Sequence, residues 1–116
     1  MSYLTDVAIA IKKEDLPKTL ETIPTLSKLA EIYESKKDKE VIIINFAWID
    51  WSRDKFPEIE NLMCFLNDIN AIFVSRGESI NDNEEEYYND AEDLYEHLEL
   101  IRYINFEGNL IKERGK

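Results

Sequence analysis

Cysteine and long apolar runs are nearly missing from this sequence. The single cysteine, Cys64, has no partner for an intramolecular disulfide, and no C-x-x-C or Cys/His zinc pattern occurs. This cysteine usage is typical of a reducing compartment. No apolar run approaches the length needed to span a bilayer, and the N-terminus has no basic region ahead of an apolar one. We therefore expect neither a signal peptide nor a membrane segment.

Basic residues are also scarce. The chain has 14 lysines and arginines against 25 aspartates and glutamates, which gives a net charge of -11. Phosphate backbones and anionic membranes repel such a surface, so we expect no direct contact with nucleic acid or with a membrane. A protein that itself binds nucleic acid presents a basic surface, and it fits this charge better as a partner.

The residues that commonly carry catalysis are few. His97 is the only histidine, and Cys64 falls beside the apolar stripe of a predicted helix, where thiols usually serve as packing. No P-loop, G-x-S-x-G or H-E-x-x-H motif occurs. Asp82, Glu84 and Glu86 alternate as early EF-hand ligands do, but Tyr87 stands where that loop needs glycine. The sequence predicts a protein that is not an enzyme, without a catalytic residue, metal or cofactor.

The apolar pattern predicts one domain over residues 1–116. A chain of 116 residues with 44% apolar residues buries one core. We expect an α+β fold in which two main helices pack on a mixed four-stranded sheet, in the order β-α-β-α-β-(α)-β. The basic tail, 112–116, is expected to fray. The predicted strands are 5–11, 41–51, 71–75 and 98–106, and the predicted helical segments are 14–23, 25–33, 57–69 and a short one within 80–93.

Burial should be greatest in two strands. In 5–11, small alanines alternate with branched residues, which indicates that both faces of the strand are covered. The four β-branched residues 41–44 indicate a central strand that is also buried on both faces. In the helix 57–69, the apolar residues recur at helical spacing and predict a face packed on this sheet.

An acidic segment extends from Glu78 to Glu99 and contains ten acidic residues without a lysine or arginine. One interpretation is a solvated face, and the other is a surface for a basic partner. Tyrosines within the segment either anchor that partner or pin the segment to the body of the protein. The predicted partner-binding residues are Glu78, Asp82, Glu84, Glu85, Glu86, Tyr87, Tyr88 and Asp90.

A second candidate patch combines tryptophan with arginine. Trp48 and Trp51 are three residues apart, so in a regular strand they face opposite sides, one packed and the other exposed. Arg76 ends a predicted strand, where it can clamp a carboxylate or phosphate, or simply form an ion pair with Asp50 or Glu78. The alternative ligand patch for a nucleotide-like molecule comprises Trp48, Trp51, Arg53 and Arg76.

Several segments resemble a group of small, acidic bacteriophage proteins. They are Asp6–Ile11, Ile49–Trp51, Phe56–Ile59, Phe65–Leu66 at a helix end, and Phe73–Glu78 followed by acids. The sequence departs from that pattern at Ser75 and Arg76, where the group has an arginine and an aliphatic residue before the glycine. The resemblance implies a phage-encoded accessory protein in the bacterial host cytoplasm, and it assigns no functional residue.

Two functional hypotheses follow from charge and resemblance together. The first is an inhibitory protein that binds a basic host or defence protein, in part by mimicking the charge of nucleic acid. The second is a domain that binds or sequesters a small, nucleotide-like ligand. The sequence leaves self-association into a homo-oligomer open.

Overall fold

The protein is built mainly from strands. The computed structural model describes residues 4–77, 83–100 and 104–115. Short 3-10 turns lie at Lys13–Asp15, Leu26–Leu29 and Ala91–Leu94. No helix in these ranges is long and apolar enough to cross a membrane. The strands and helices are β1 (Thr5–Lys12), α1 (Leu16–Glu21), β2 (Glu31–Ser35), β3 (Val41–Ile49), α2 (Ile59–Leu66), β4 (Ala71–Arg76), β5 (Asn83–Tyr88), β6 (Glu99–Leu100), β7 (Ile104–Asn105) and β8 (Gly108–Lys112).

Six strands form one sheet in the order β5-β4-β1-β3-β2-β8, and β6 pairs with β7 in a second, two-stranded sheet. Every neighbouring pair in the large sheet is antiparallel. The two α-helices are short, with six residues in α1 and eight in α2. The predicted mixed four-stranded sheet with two main helices is therefore wrong. Three further segments, 31–35, 83–88 and 108–112, are strands of this sheet, and the predicted strand 98–106 lies outside it.

The segment 25–33 shows why a helix was predicted where a strand occurs. Its apolar residues fit helical spacing, but only Leu26–Leu29 forms a helical turn, and β2 begins at Glu31. Ile32 packs on one face of the sheet and Tyr33 on the other, as strand geometry requires. The short polar loop after Ser35 leads directly into β3, and so short a connection permits only an antiparallel pair.

The acidic segment also differs from its prediction. Instead of the predicted short helix, residues 83–88 form β5, which pairs with β4 from Arg76↔Asn83 to Ala71↔Tyr88. Glutamate is a poor strand former, but pairing along a neighbouring strand decides the outcome. The predicted strand 98–106 is divided between the two-residue strands β6 and β7, and 101–103 lies outside the described residues.

Both faces of the large sheet are covered, which confirms the prediction for 5–11 and 41–44. The helices cover one face, here called the helix side, and residues within 91–100 and 104–106 cover the opposite face. The helix-side core includes Ile9, Ile11, Ile42, Ile44, Phe46 and Phe73 against Ile23, Leu26, Ile59, Leu62 and Leu66. The opposite core includes Ala8, Ala10, Val41, Ile43, Ile72 and Val74 against Ala91, Leu94 and Leu98.

The residues that follow β7 are attached to the body of the protein. Gly108 begins β8 where a Cβ atom would lie 2.9 Å from the Glu34 carbonyl oxygen, so glycine permits this close pairing with β2. In the tail that was expected to fray, Lys112 Nζ donates to the carbonyl oxygens of Ser27 (2.9 Å) and Ala30 (3.0 Å). Arg114 Nη1 donates to the Ala47 carbonyl oxygen at 3.1 Å.

Candidate functional site

β5 forms one edge of the large sheet and carries three consecutive glutamates of the acidic segment. Glu84, Glu85 and Glu86 are all exposed, and β5 pairs only with β4 in the described part of the chain. An edge strand presents a row of backbone N–H and C=O groups to which another strand can add. The fold therefore combines a strand-pairing edge with three negative charges. Glu78 and Asp82, also predicted to bind a partner, lie outside the described residues.

The side chains of β5 alternate between the two faces of the sheet. Glu84 and Glu86 are paired with Ser75 and Phe73 and lie on the helix side, whereas Glu85 lies on the opposite side. The Tyr87 hydroxyl donates to Glu85 Oε2 at 2.5 Å, and the Tyr88 hydroxyl donates to Glu86. No hydrogen bond or ion pair engages the Glu84 carboxylate within the described residues.

These hydrogen bonds change the acidity of both tyrosines. The bond to Glu85, followed by burial, raises the pKa of Tyr87 to about 12. Burial, followed by the bond to Glu86, raises the pKa of Tyr88. Both hydroxyls are protonated at neutral pH, as tyrosine ordinarily is, so each can donate to its carboxylate and help to orient it.

An exposed aromatic pair lies beside the acidic strand. Tyr87 and Tyr95 meet edge to face with ring centroids 5.2 Å apart, and each is more than half exposed, at 53% and 54%. Tyr88 instead packs against the helix-side core. Exposed tyrosines of this kind are suited to anchoring a partner, whereas Tyr88 pins β5 to the body of the protein.

The turn after β5 is fixed by asparagine. Asn89 adopts a φ of 54°, a left-handed conformation that asparagine tolerates better than most residues. Its side-chain amide donates to the carbonyl oxygens of Asn67 (3.0 Å) and Ile69 (2.5 Å). The Asp90 backbone N–H donates to Asn70 Oδ1 at 3.1 Å, and its own side chain is exposed. These contacts join the end of β5 to the connection between α2 and β4.

The predicted tryptophan–arginine patch is divided between two clefts. Trp48 lies with Arg76 at one cleft of about 130 Å³, and Trp51 lies with Arg53 at another of about 380 Å³. Trp48 is 62% exposed and Trp51 packs against the helix-side core, which confirms that one tryptophan is packed and the other exposed. The exposed ring lies near Asp6 and Arg76 rather than beside Asp50, Arg53 and Lys55.

A β-bulge sets the position of Trp48. Thr5 pairs with Ile49 but Val7 pairs with Phe46, so two residues of β3 oppose Asp6. Trp48 adopts a φ of 52°, and its N–H donates to Asp6 Oδ1 at 2.9 Å. A bulky residue in this conformation is strained, and the bulge that imposes it turns the indole away from the core.

A buried serine–histidine pair lies on the opposite face, and no sequence pattern indicated it. Ser35 Oγ and His97 Nδ1 are 2.5 Å apart although the residues are 62 positions apart in sequence. Ser35 is 2% exposed, and its Oγ also accepts the Lys37 backbone N–H at 3.3 Å. The Ser35 hydroxyl is thus buried and has two hydrogen-bond partners, the His97 ring and the Lys37 backbone. The pair joins β2 to the segment that covers the opposite core.

Burial of His97 leads us to expect that stability depends on pH. Burial is the main cause that lowers the pKa of His97 below its ordinary value of 6.5, against the opposing effect of Glu96. The folded protein favours neutral histidine, so this stability is present above pH 6.5 and is lost as pH falls through the lowered pKa. We expect the free energy of unfolding to fall more steeply between pH 7.5 and 5 in the wild type than in His97→Gln. Parallel profiles from urea denaturation would show that His97 does not titrate differently in the folded state.

The described ranges contain no group of three or more histidine, cysteine, aspartate or glutamate side chains arranged to hold a metal ion. Comparison of the chain with protein-family models, curated proteins and solved structures finds no match.

Proposed function

We propose that the protein is a non-catalytic binding protein that holds a basic segment of a partner protein along β5 and thereby inhibits that partner. One observation carries this proposal: the exposed edge strand of the sheet bears three consecutive glutamates, with the Tyr87–Tyr95 pair beside them. A basic segment that adds as a strand gains backbone hydrogen bonds together with charge pairing.

The charge density of β5 supports partial mimicry of nucleic acid. An extended strand rises ~3.4 Å per residue, so its three carboxylates give one charge per ~3.4 Å. One strand of B-DNA carries its phosphates at the same interval of ~3.4 Å along the axis. The match is one of linear charge density along the strand, because the alternation of side chains places the two carboxylates on the helix side ~6.8 Å apart. Together with the resemblance to phage proteins, this leads us to propose a basic host or defence protein of the bacterial cytoplasm as the partner.

The same glutamates have a simpler role available to them. Charged residues on an edge strand prevent other copies from pairing with it, and this protects many proteins from aggregation. The two roles differ in what neutralisation does. If protection is the only role, neutral β5 variants self-associate and lose no partner. If β5 binds a partner, the same variants lose it.

Affinity capture from a bacterial extract separates these outcomes. The baits are the wild type, the triple variant Glu84→Gln, Glu85→Gln and Glu86→Gln, and a control triple variant of equal charge. We expect the wild type and the control to retain a common basic protein that the β5 variant does not retain. Retention of the same proteins by all three baits, with light scattering showing self-association of the β5 variant, would reject the proposal. The control triple variant changes the exposed acids Glu14, Glu21 and Glu40 to glutamine.

A further inference from the structure

The larger of the two tryptophan clefts lies on the helix side, between β5 and α2. Its volume is about 380 Å³, and it is open to solvent. The cleft brings the predicted ligand residues Trp51 and Arg53 next to two of the predicted partner-binding residues. Its lining consists of Trp51, Arg53, Ile59, Met63, Phe73, Glu84 and Glu86.

The apolar floor of this cleft packs on buried aromatic rings. The Trp51 ring packs at a tilt against Phe46 and Phe73, with centroid distances of 5.5 and 6.0 Å. Both phenylalanines are buried, whereas Trp51 is only partly buried. The indole therefore packs against the core on the side of the two phenylalanines, while part of its surface lines the cleft. An indole face attracts cations more strongly than the other aromatic side chains do.

The wall formed by β5 is acidic. Glu84 and Glu86 project from the same face of the strand, ~6.8 Å apart along it by strand geometry. Glu86 already accepts the Tyr88 hydroxyl, which orients it, and the Glu84 carboxylate has no partner in the described part of the chain. Arg53 also lines the cleft, but it forms an ion pair with Glu60 of α2, with 2.8 Å between Arg53 Nε and Glu60 Oε1.

The lining selects for one chemical class of occupant. The two carboxylates repel an anion, and a neutral apolar group would take them out of water without a partner. A guanidinium group satisfies both parts of the cleft, because its flat face stacks on an indole and its N–H groups bind carboxylates in pairs. An ammonium group supplies the charge but lacks the flat face.

We propose that this cleft binds an arginine side chain of the partner. The proposal rests on the function proposed above and specifies one contact within it. A strand added to the edge of β5 places every second side chain on the helix side of the sheet. One of those side chains reaches the cleft, where its guanidinium lies between the indole of Trp51 and the carboxylates of Glu84 and Glu86.

Fluorescence of Trp51 provides a direct test. Trp48→Phe leaves Trp51 as the only tryptophan, because the chain has two. This protein is titrated with a synthetic peptide of alternating arginine and valine, and with matched peptides containing lysine or uncharged citrulline. We expect the arginine peptide to change Trp51 emission and to bind roughly tenfold more tightly than the citrulline peptide, with lysine between them. Lack of any response to the arginine peptide at millimolar concentration would overturn the proposal.

Two single variants show whether the contact is at the cleft. Glu85 and Glu86 are adjacent, each accepts a tyrosine hydroxyl, and they point to opposite faces of the sheet. Glu86→Gln should weaken the arginine peptide roughly tenfold, whereas Glu85→Gln, which removes the same charge from the opposite face, should weaken it only about threefold through the loss of general attraction. Equal losses would show general attraction rather than binding in the cleft. Circular dichroism and melting temperature confirm that each variant keeps its fold.

The capture experiment and the peptide titration test the two proposals separately. If capture depends on β5 but the peptide shows no preference for arginine, the cleft proposal is wrong and the proposed function stands. If the peptide binds through Glu86 but capture does not depend on β5, the cleft binds arginine and the proposed function is wrong.

Discussion

Leu62→Ala is expected to lower the free energy of unfolding by about 2–5 kcal/mol, the usual cost of removing a large aliphatic side chain from a packed core. Leu62 has no exposed surface and lies on the buried face of α2, in the core that also contains Ile59 and Leu66. α2 is only eight residues long, so packing against the sheet, rather than intrinsic helix stability, holds it in place. The measurement is urea denaturation followed by circular dichroism.

The neighbouring residue provides a matched control. Asn61 is exposed on the same helix, so Asn61→Ala should change the free energy of unfolding by less than about 0.5 kcal/mol. If Leu62→Ala also costs less than about 0.5 kcal/mol, the buried face of α2 is misassigned. That result would also remove the support for Met63, which lines the cleft from the same helix.

The strands of the sheet interior were predictable because burial on both faces leaves a strong local signal. β1, β3 and β4 were placed within a few residues of their observed bounds from continuous or alternating apolar runs. β2 was missed because its two apolar residues, Ile32 and Tyr33, also continue a helical spacing that begins at Leu26. Pairing with β3 in a hairpin makes this segment a strand rather than a helix. That pairing is a contact between two segments, and the residues of β2 alone do not indicate it.

The acidic edge strand was not predictable from its own residues. A run of three glutamates has low strand propensity, and its conformation comes from pairing with β4, whose apolar core residues stabilise the neighbouring strand. The run of acidic residues is nevertheless evident from the sequence, and so is the presence of tyrosines within it. What the sequence could not indicate is which acids share a face with Trp51, because this depends on the register between β5 and β4.

The buried pair of Ser35 and His97 lies beyond sequence reasoning for a similar reason. Neither residue belongs to a local motif, and 62 positions separate them. Their contact exists because residues 91–100 fold back over the sheet and bring His97 to the end of β2. The contact is determined only by how the segment that contains His97 packs on the sheet face opposite the helices.

The second large effect concerns the rate at which the captured partner associates. Attraction between opposite charges speeds association, and salt screens exposed charges over ~10 Å at 0.1 M. Glu84→Gln, Glu85→Gln and Glu86→Gln together should therefore slow association roughly tenfold at low salt, and the difference from wild type should shrink at high salt. The dissociation rate should change less. Since exposed charges contribute little to stability, the triple variant should keep its melting behaviour.

The most direct measurement is the association rate constant of that partner at low salt for the wild type, the β5 triple variant and the Glu14, Glu21 and Glu40 control. Net charge is the same in both triple variants, so only the position of the charges differs. We predict a rate roughly tenfold below wild type for the β5 variant and within about twofold of wild type for the control. Equal rates for the two triple variants would contradict the assignment of β5 as the binding surface.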